Sequence, residues 1–201
     1  MSDERWERLL RSWATVLGLS DTTTGLAKEF FQRIRRARVW GASSLAVAIY
    51  MASIVTGEYV PLPVLVRRDG GYRPVLGRMI YNKMRYNAKK LFGVDLDVAR
   101  VVEVEIRGWC RVLRLDPVLC EASVCTAVNT AQDSIFGRAG YARFVALILR
   151  FVAKRLGISL PHPRLLPQSH IHRKPVVFKR AEKHVDACIE RARQLVATQP
   201  P

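Results

Sequence analysis

Trp13-Ala-Thr-Val-Leu-Gly-Leu-Ser20 returns 96 positions later as Trp109-Cys-Arg-Val-Leu-Arg-Leu-Asp116. The tryptophan, the Val-Leu pair, the next leucine and a terminal residue able to cap a helix all recur. The same offset lays Val39-Trp40-Gly41 over Ile135-Phe136-Gly137. A fixed offset held across two landmarks points to a duplicated unit, and two copies of that length fill a chain of 201 residues. The reading predicts a first unit over 1–97 and a second over 98–201. Chance similarity between two helix ends is the competing explanation, because the middles of the copies match poorly.

Helical periodicity surrounds these landmarks. Trp6, Leu9, Leu10, Trp13 and Leu17 recur at three and four, which predicts an amphipathic helix ended by Gly18. Ser20 or Asp21 then caps a second helix that buries Leu26, Phe30, Ile34 and Ala37. From Val39 to Gly57 no residue is charged. The stretch approaches the length of a membrane span, but Gly41, Ala42, Ser43, Ser44, Ala46, Ala48 and Ser53 make it too small and polar. It reads as a helix over 42–56, buried all round at the centre of a bundle. A short helix over 60–68 and a long one over 73–92 complete the first unit.

The second unit opens with a helix holding Val101, Val104, Trp109, Val112 and Leu113. Asp116-Pro117 starts the next, a cap followed by proline in the first turn. Residues 141–156 form another. A proline-rich loop over 160–175 precedes one final helix, Val176 to about Ala197, with Phe178, Val185, Ile189 and Leu195 inward. No useful β alternation occurs, so the expected fold is all-α: two tandem five-helix repeats.

Charge sets the function classes. Lysine and arginine number 33 against 17 acids, a net charge of +16. Such a surplus repels itself unless an anionic partner neutralises it, and nucleic acid is the commonest such partner. Arginine outnumbers lysine, and its planar fork suits phosphate. Cys110, Cys120, Cys125 and Cys188 form no C-x-x-C pair and read as small core residues, without zinc or a disulfide framework. That suits a reducing compartment. His162, His170, His172 and His184 have no neighbouring cysteine or carboxylate to make a metal site. No nucleotide-binding, hydrolase or metalloprotease motif appears. No enzyme activity, cofactor or metal is expected, nor a signal peptide or membrane partner; the expected place is cytoplasmic, nucleoid-associated.

Leu17-Gly-Leu19, Lys28-Glu-Phe-Phe31, Ser44-Leu-Ala-Val-Ala-Ile-Tyr-Met-Ala52 and Leu76-Gly-Arg-Met-Ile-Tyr81 carry a resemblance. Together with five helices repeated, they resemble the cyclin-like fold, and more closely the core of archaeal transcription initiation factor B, the counterpart of transcription factor IIB. The motifs cover about 5–95; the second half joins through topology and the internal repeat. The family's zinc ribbon has no counterpart in this sequence, and Pro161, Pro163, Pro167 and Pro175 interrupt the second copy. A shortened, transcription-factor-B-like regulator is the expectation.

The resemblance implies that each copy ends in a helix-turn-helix-like pair able to enter a major groove. It places Arg73, Arg78 and Asn82 near DNA, with Arg67, Arg68 and Lys83 beside them. In the second copy it places Lys174, Lys179, Arg180 and Lys183 there, with His172 and Arg173 in the preceding loop. Most would touch phosphate, and Arg78 and Lys179 are the candidates for base edges. Implied partners are double-stranded DNA, a TATA-box-binding protein and the RNA polymerase machinery. Two alternatives stay open. One is a cyclin-fold adaptor for an acidic protein. The other is an RNA or single-strand binder that stacks bases on Tyr72, Tyr81 and Tyr86.

Overall fold

The computed structural model describes residues 3–38, 44–68, 74–131, 141–161 and 174–198, and every regular element among them is an α-helix. The chain divides into two compact units, Met1–Leu96 and Asp97–Pro201. The boundary falls one residue earlier than the sequence suggests, because Asp97 caps the second unit's first helix. Its carboxylate accepts the Arg100 amide at 2.7 Å, satisfying one of the free donors at a helix start.

In the first unit, α1 (Asp3–Leu17) and α2 (Asp21–Ala37) precede α3 (Ser44–Thr56), α4 (Leu62–Arg68) and α5 (Pro74–Phe92). The second runs α6 (Val98–Leu113), α7 (Pro117–Thr130), α8 (Tyr141–Leu156), α9 (Lys174–Glu182) and α10 (Val185–Ala197). In α3 every residue from Ser44 to Ile54 is buried, and the helix packs against α2, α4 and α5. Its uncharged composition thus serves a core. No helix among the described residues is long and apolar enough to cross a membrane.

The offset of 96 read from the sequence recurs in backbone detail. Gly18 and Arg114 both adopt the left-handed region, with φ of 60° and 50°. The amide after each reaches back to close its helix: Leu19 to the Ala14 carbonyl and Leu115 to the Cys110 carbonyl, both at 2.9 Å. Ser20 then accepts the Thr23 amide at 3.2 Å, and Asp116 the Leu119 amide at 3.0 Å. Burial follows the same register. Trp6, Leu10, Trp13 and Ala14 correspond to Val102, Ile106, Trp109 and Cys110, all buried. Thr23, Ala27, Phe30, Phe31 and Ile34 correspond to Leu119, Ser123, Thr126, Ala127 and Thr130, again all buried.

Arg114 occupies a conformation that glycine takes without steric cost and that other L-residues do not. Arg114→Gly, which copies the first unit, is expected to stabilise the second by about 0.5–1 kcal/mol. A higher urea midpoint at an unchanged slope would register it.

Four expectations need correction. The final helix is two: the chain breaks at Lys183 and His184, whose amides bond to Arg180 and Ala181 at 3.2 and 3.0 Å, three residues back rather than four. Leu195 is 44% exposed rather than inward. The cysteines are not all reduced. Cys125 of α7 and Cys188 of α10 form a disulfide with Cα atoms 5.6 Å apart. Cys110 and Cys120 stay free, and hydrogen bonding to Cys120 together with burial pushes the Cys110 thiol up. The second helix buries Phe30 and Ile34 as read, but its buried face is wider: Thr23, Ala27 and Phe31 join them, while Leu26 is half-buried and Ala37 is exposed.

The disulfide occupies an instructive place. In the first unit Phe30 meets Phe92 with ring centroids 4.8 Å apart, tying α2 to α5. At the same offset stand Thr126 and Cys188. The α7 core face carries Ser123, Thr126 and Thr130, whose buried hydroxyls find no hydrogen-bond partner among the described residues. A face that exchanges Ala, Phe and Ile for three hydroxyls loses apolar burial and desolvates polar atoms. The Cys125–Cys188 bond supplies a tether where the first unit has a ring contact.

Candidate nucleic-acid interface

Acidic side chains are largely engaged inside their own helix pairs. Glu7 meets Lys28 at 2.8 Å, and Glu29 pairs with Arg33. Arg155 forks onto Asp186 at 2.9 and 2.8 Å. Arg107 reaches Glu121 at 2.6 Å and Glu103 at 3.0 Å, and Arg100 reaches Glu103 at 2.9 Å. Burial pushes the Glu103 carboxyl up, but hydrogen bonds from Arg100 and Arg107 outweigh it and hold the group below its ordinary value.

That direction fixes a pH dependence. A carboxylate with a depressed folded pKa stabilises fully above its unfolded value, near 4.5, and its contribution is lost as pH falls through the folded value. Glu103→Gln should therefore lower stability at neutral pH, with the gap from the parent closing as pH drops below that point. Urea titrations of both proteins across that range measure it.

Exposed cations occur on most helices, and three groups of them bear on the candidate interface. The last turn of α2 exposes Arg35, Arg36 and Arg38, with a shallow depression of about 290 Å³ lined by Gln32, Arg35 and Arg36. Cations there also suit the helix dipole. On α5, Lys83, Tyr86 and Lys90 lie three and four residues apart, on one outward stripe. Tyr86 is 88% exposed, whereas Tyr81 is buried at 2% with its ring edge against Tyr50 at 6.3 Å. The two tyrosines have separate roles, and Tyr72 lies outside the described residues.

In the second unit, α9 is held by its buried Val177 and Ala181 and by Phe178, whose ring lies 5.3 Å from Phe151 of α8. A cleft of about 580 Å³ runs beside this contact, lined by Leu147, Arg150, Phe151, Lys154, Arg155, Phe178 and Glu182. Lys179 and Lys183 point to solvent and Arg180 is half-buried. Lys183 sits in the break before α10, so these cations cluster around a turn.

Among the candidates read from the sequence, the structure thus presents Lys83 on α5 and Lys179, Arg180 and Lys183 at the α9 end. Arg73 and Arg173 lie outside the described residues. Arg67, Arg68, Arg78 and Lys174 belong to helices, but their side chains, like that of Asn82, lie outside the description. So do His162, His170 and His172, while His184 is half-buried at the start of α10. The sequence reading passed over Arg35, Arg36 and Arg38 as sites because a helix end explains cations by itself. The signal that separates them is the lack of an acid three or four residues away, unlike Arg33 with Glu29.

No family model, curated protein or solved structure matches this chain.

Proposed function

We propose that the chain is a double-stranded DNA-binding protein built from two cyclin-like repeats, a regulator of the transcription-factor-B type. The observation that carries the reading is the correspondence at 96 residues of helix ends, caps and buried positions in two separately compact units. It supports duplication of a helical unit, the organisation on which the resemblance rests. The net charge of +16 and the exposed Lys83, Lys179 and Lys183 supply the electrostatic attraction. In this reading α5 and α9 present the basic faces, phosphates are the main contact, and a TATA-box-binding protein on the same DNA is a partner.

The 88% exposure of Tyr86 favours one second reading, stacking on unpaired bases. A single substitution separates the two. On duplex, Tyr86→Ala is expected to leave affinity within about twofold, because phosphate contacts dominate. A single-strand binder would lose about 1–3 kcal/mol from the same change. Fluorescence anisotropy with a random-sequence duplex and its separated strands decides between them, and tighter binding to the single strand would overturn the proposal.

A further inference from the structure

The groove formed by α6, α7 and α10 has a volume of about 460 Å³, and both residues of the Cys125–Cys188 bond line it. The two cysteines are not equivalent: Cys125 is half-buried, while Cys188 is buried at 3%. Asn129 lies one helical turn beyond Cys125. Its Nδ2 donates to the Cys125 carbonyl at 2.9 Å and stands 3.6 Å from Cys125 Sγ and 3.9 Å from Cys188 Sγ. Arg191 lines the same groove, whereas its other guanidinium, Arg107, is engaged by Glu103 and Glu121.

We propose that Cys125–Cys188 is a thiol–disulfide exchange site, attacked at Cys125 by a thiol reductant that enters this groove. The incoming thiolate bonds to Cys125 Sγ as the Cys125–Cys188 bond breaks. The electron pair leaves on Cys188 Sγ, which takes a proton. A second thiolate attacks the reductant's sulfur in the mixed disulfide and releases Cys125 as a thiol. Two thiols are oxidised to one disulfide while the protein bond is reduced to two thiols. A leaving thiolate accepts a hydrogen bond far better than a bridged sulfur, so the Asn129 amide favours charge where it develops. Arg191 attracts the anionic nucleophile to the groove. The bond ties α10 to α7, so reduction loosens α10 and, through the turn at Lys183, the end of α9. Loss of DNA affinity on reduction follows, and this last step rests on the duplex-binding reading.

The test uses the full oxidised chain under native conditions. Reduced glutathione is added, the mixture is quenched with an alkylating agent, and peptides are mapped by mass; duplex affinity is read in parallel. The expected result is a glutathione adduct on Cys125, followed by alkylation of both cysteines and a roughly tenfold weaker duplex complex. Asn129→Leu should slow the exchange about tenfold, the effect of one hydrogen bond to a charged group, with the helical signal of the oxidised chain unchanged. The exchange proposal is overturned by a bond that resists reduction until the chain is unfolded, by an adduct on Cys188, or by four alkylated thiols before reductant is added. Reduction without a change in duplex affinity overturns the coupling to DNA. If neither form binds duplex, the functional reading fails, while the adduct map still decides the exchange.

Discussion

Replacing Lys179, Arg180 and Lys183 together by glutamate is expected to weaken duplex binding by at least about a hundredfold. A cation about 4 Å from a phosphate in water gains about 1 kcal/mol, so removing three such contacts costs about two powers of ten before repulsion from the new carboxylates is added. The changes at Lys179 and Lys183 should spare the fold, and half-buried Arg180 is the position that the helical signal must check. Lys179 and Lys183 are exposed, and α9 is held through Val177, Ala181 and Phe178 on its other side. Circular dichroism serves as the control, and anisotropy with a labelled duplex gives the affinity. The corresponding change in the first unit, Lys83→Glu, touches one contact and should cost about a factor of five to ten by the same reasoning.

The second large effect is on stability. Cys125 and Cys188 are 63 residues apart. Closing a loop of that size confers about 4 kcal/mol in the chain-entropy model, and measured values centre on about 2–4 kcal/mol. The α7 core face carries Ser123, Thr126 and Thr130 in place of Ala27, Phe30 and Ile34, so it has less apolar packing than its counterpart in the first unit to offset the loss. Cys125→Ser with Cys188→Ser is expected to lower the melting temperature of the second unit by roughly 10 °C or more, at several degrees per kcal/mol for a unit of this size. The first unit keeps the Phe30–Phe92 contact and should melt unchanged. Calorimetry that shows one transition moving and one fixed supports this; a single unmoved transition contradicts it.

Much of the fold was legible because the information is local and periodic. Ser20 and Asp116 announce helix starts by chemistry, Gly18 announces a stop, and the uncharged run around Ala46 and Ile49 can only be comfortable inside a core. The recurrence at 96 residues reinforced the two capping signals. What sequence could not supply was pairing across distance. Nothing in the spacing of Cys125 and Cys188 says that α7 and α10 face each other, since the bond depends on tertiary packing. The break at Lys183–His184 was invisible for a related reason. Val177, Ala181, Val185 and Cys188 keep a helical spacing through it, so apolar periodicity runs on where the backbone tightens. The end of α6 after Leu113 was legible only from the Asp116-Pro117 start that follows it, because Arg114 fills a conformation that glycine would have signalled.

The candidate site was legible to a lesser degree. Composition reports a positive excess but not where it lies. The placement of Lys83, Lys179 and Lys183 on outward faces depends on which side of α5 and α9 the core claims. The contrast between buried Tyr81 and exposed Tyr86 depends on the same thing, although both tyrosines belong to one helix.

The most direct measurement is the affinity of the full chain for a random-sequence duplex over a series of salt concentrations, with the separated strand as competitor. If Lys83, Lys179, Arg180 and Lys183 each displace a counterion, the logarithm of affinity falls against the logarithm of salt with a slope of about −3.6 or steeper. The single strand competes poorly. A flat dependence, or equal competition by the single strand, would contradict the account and turn the basic faces toward a different partner.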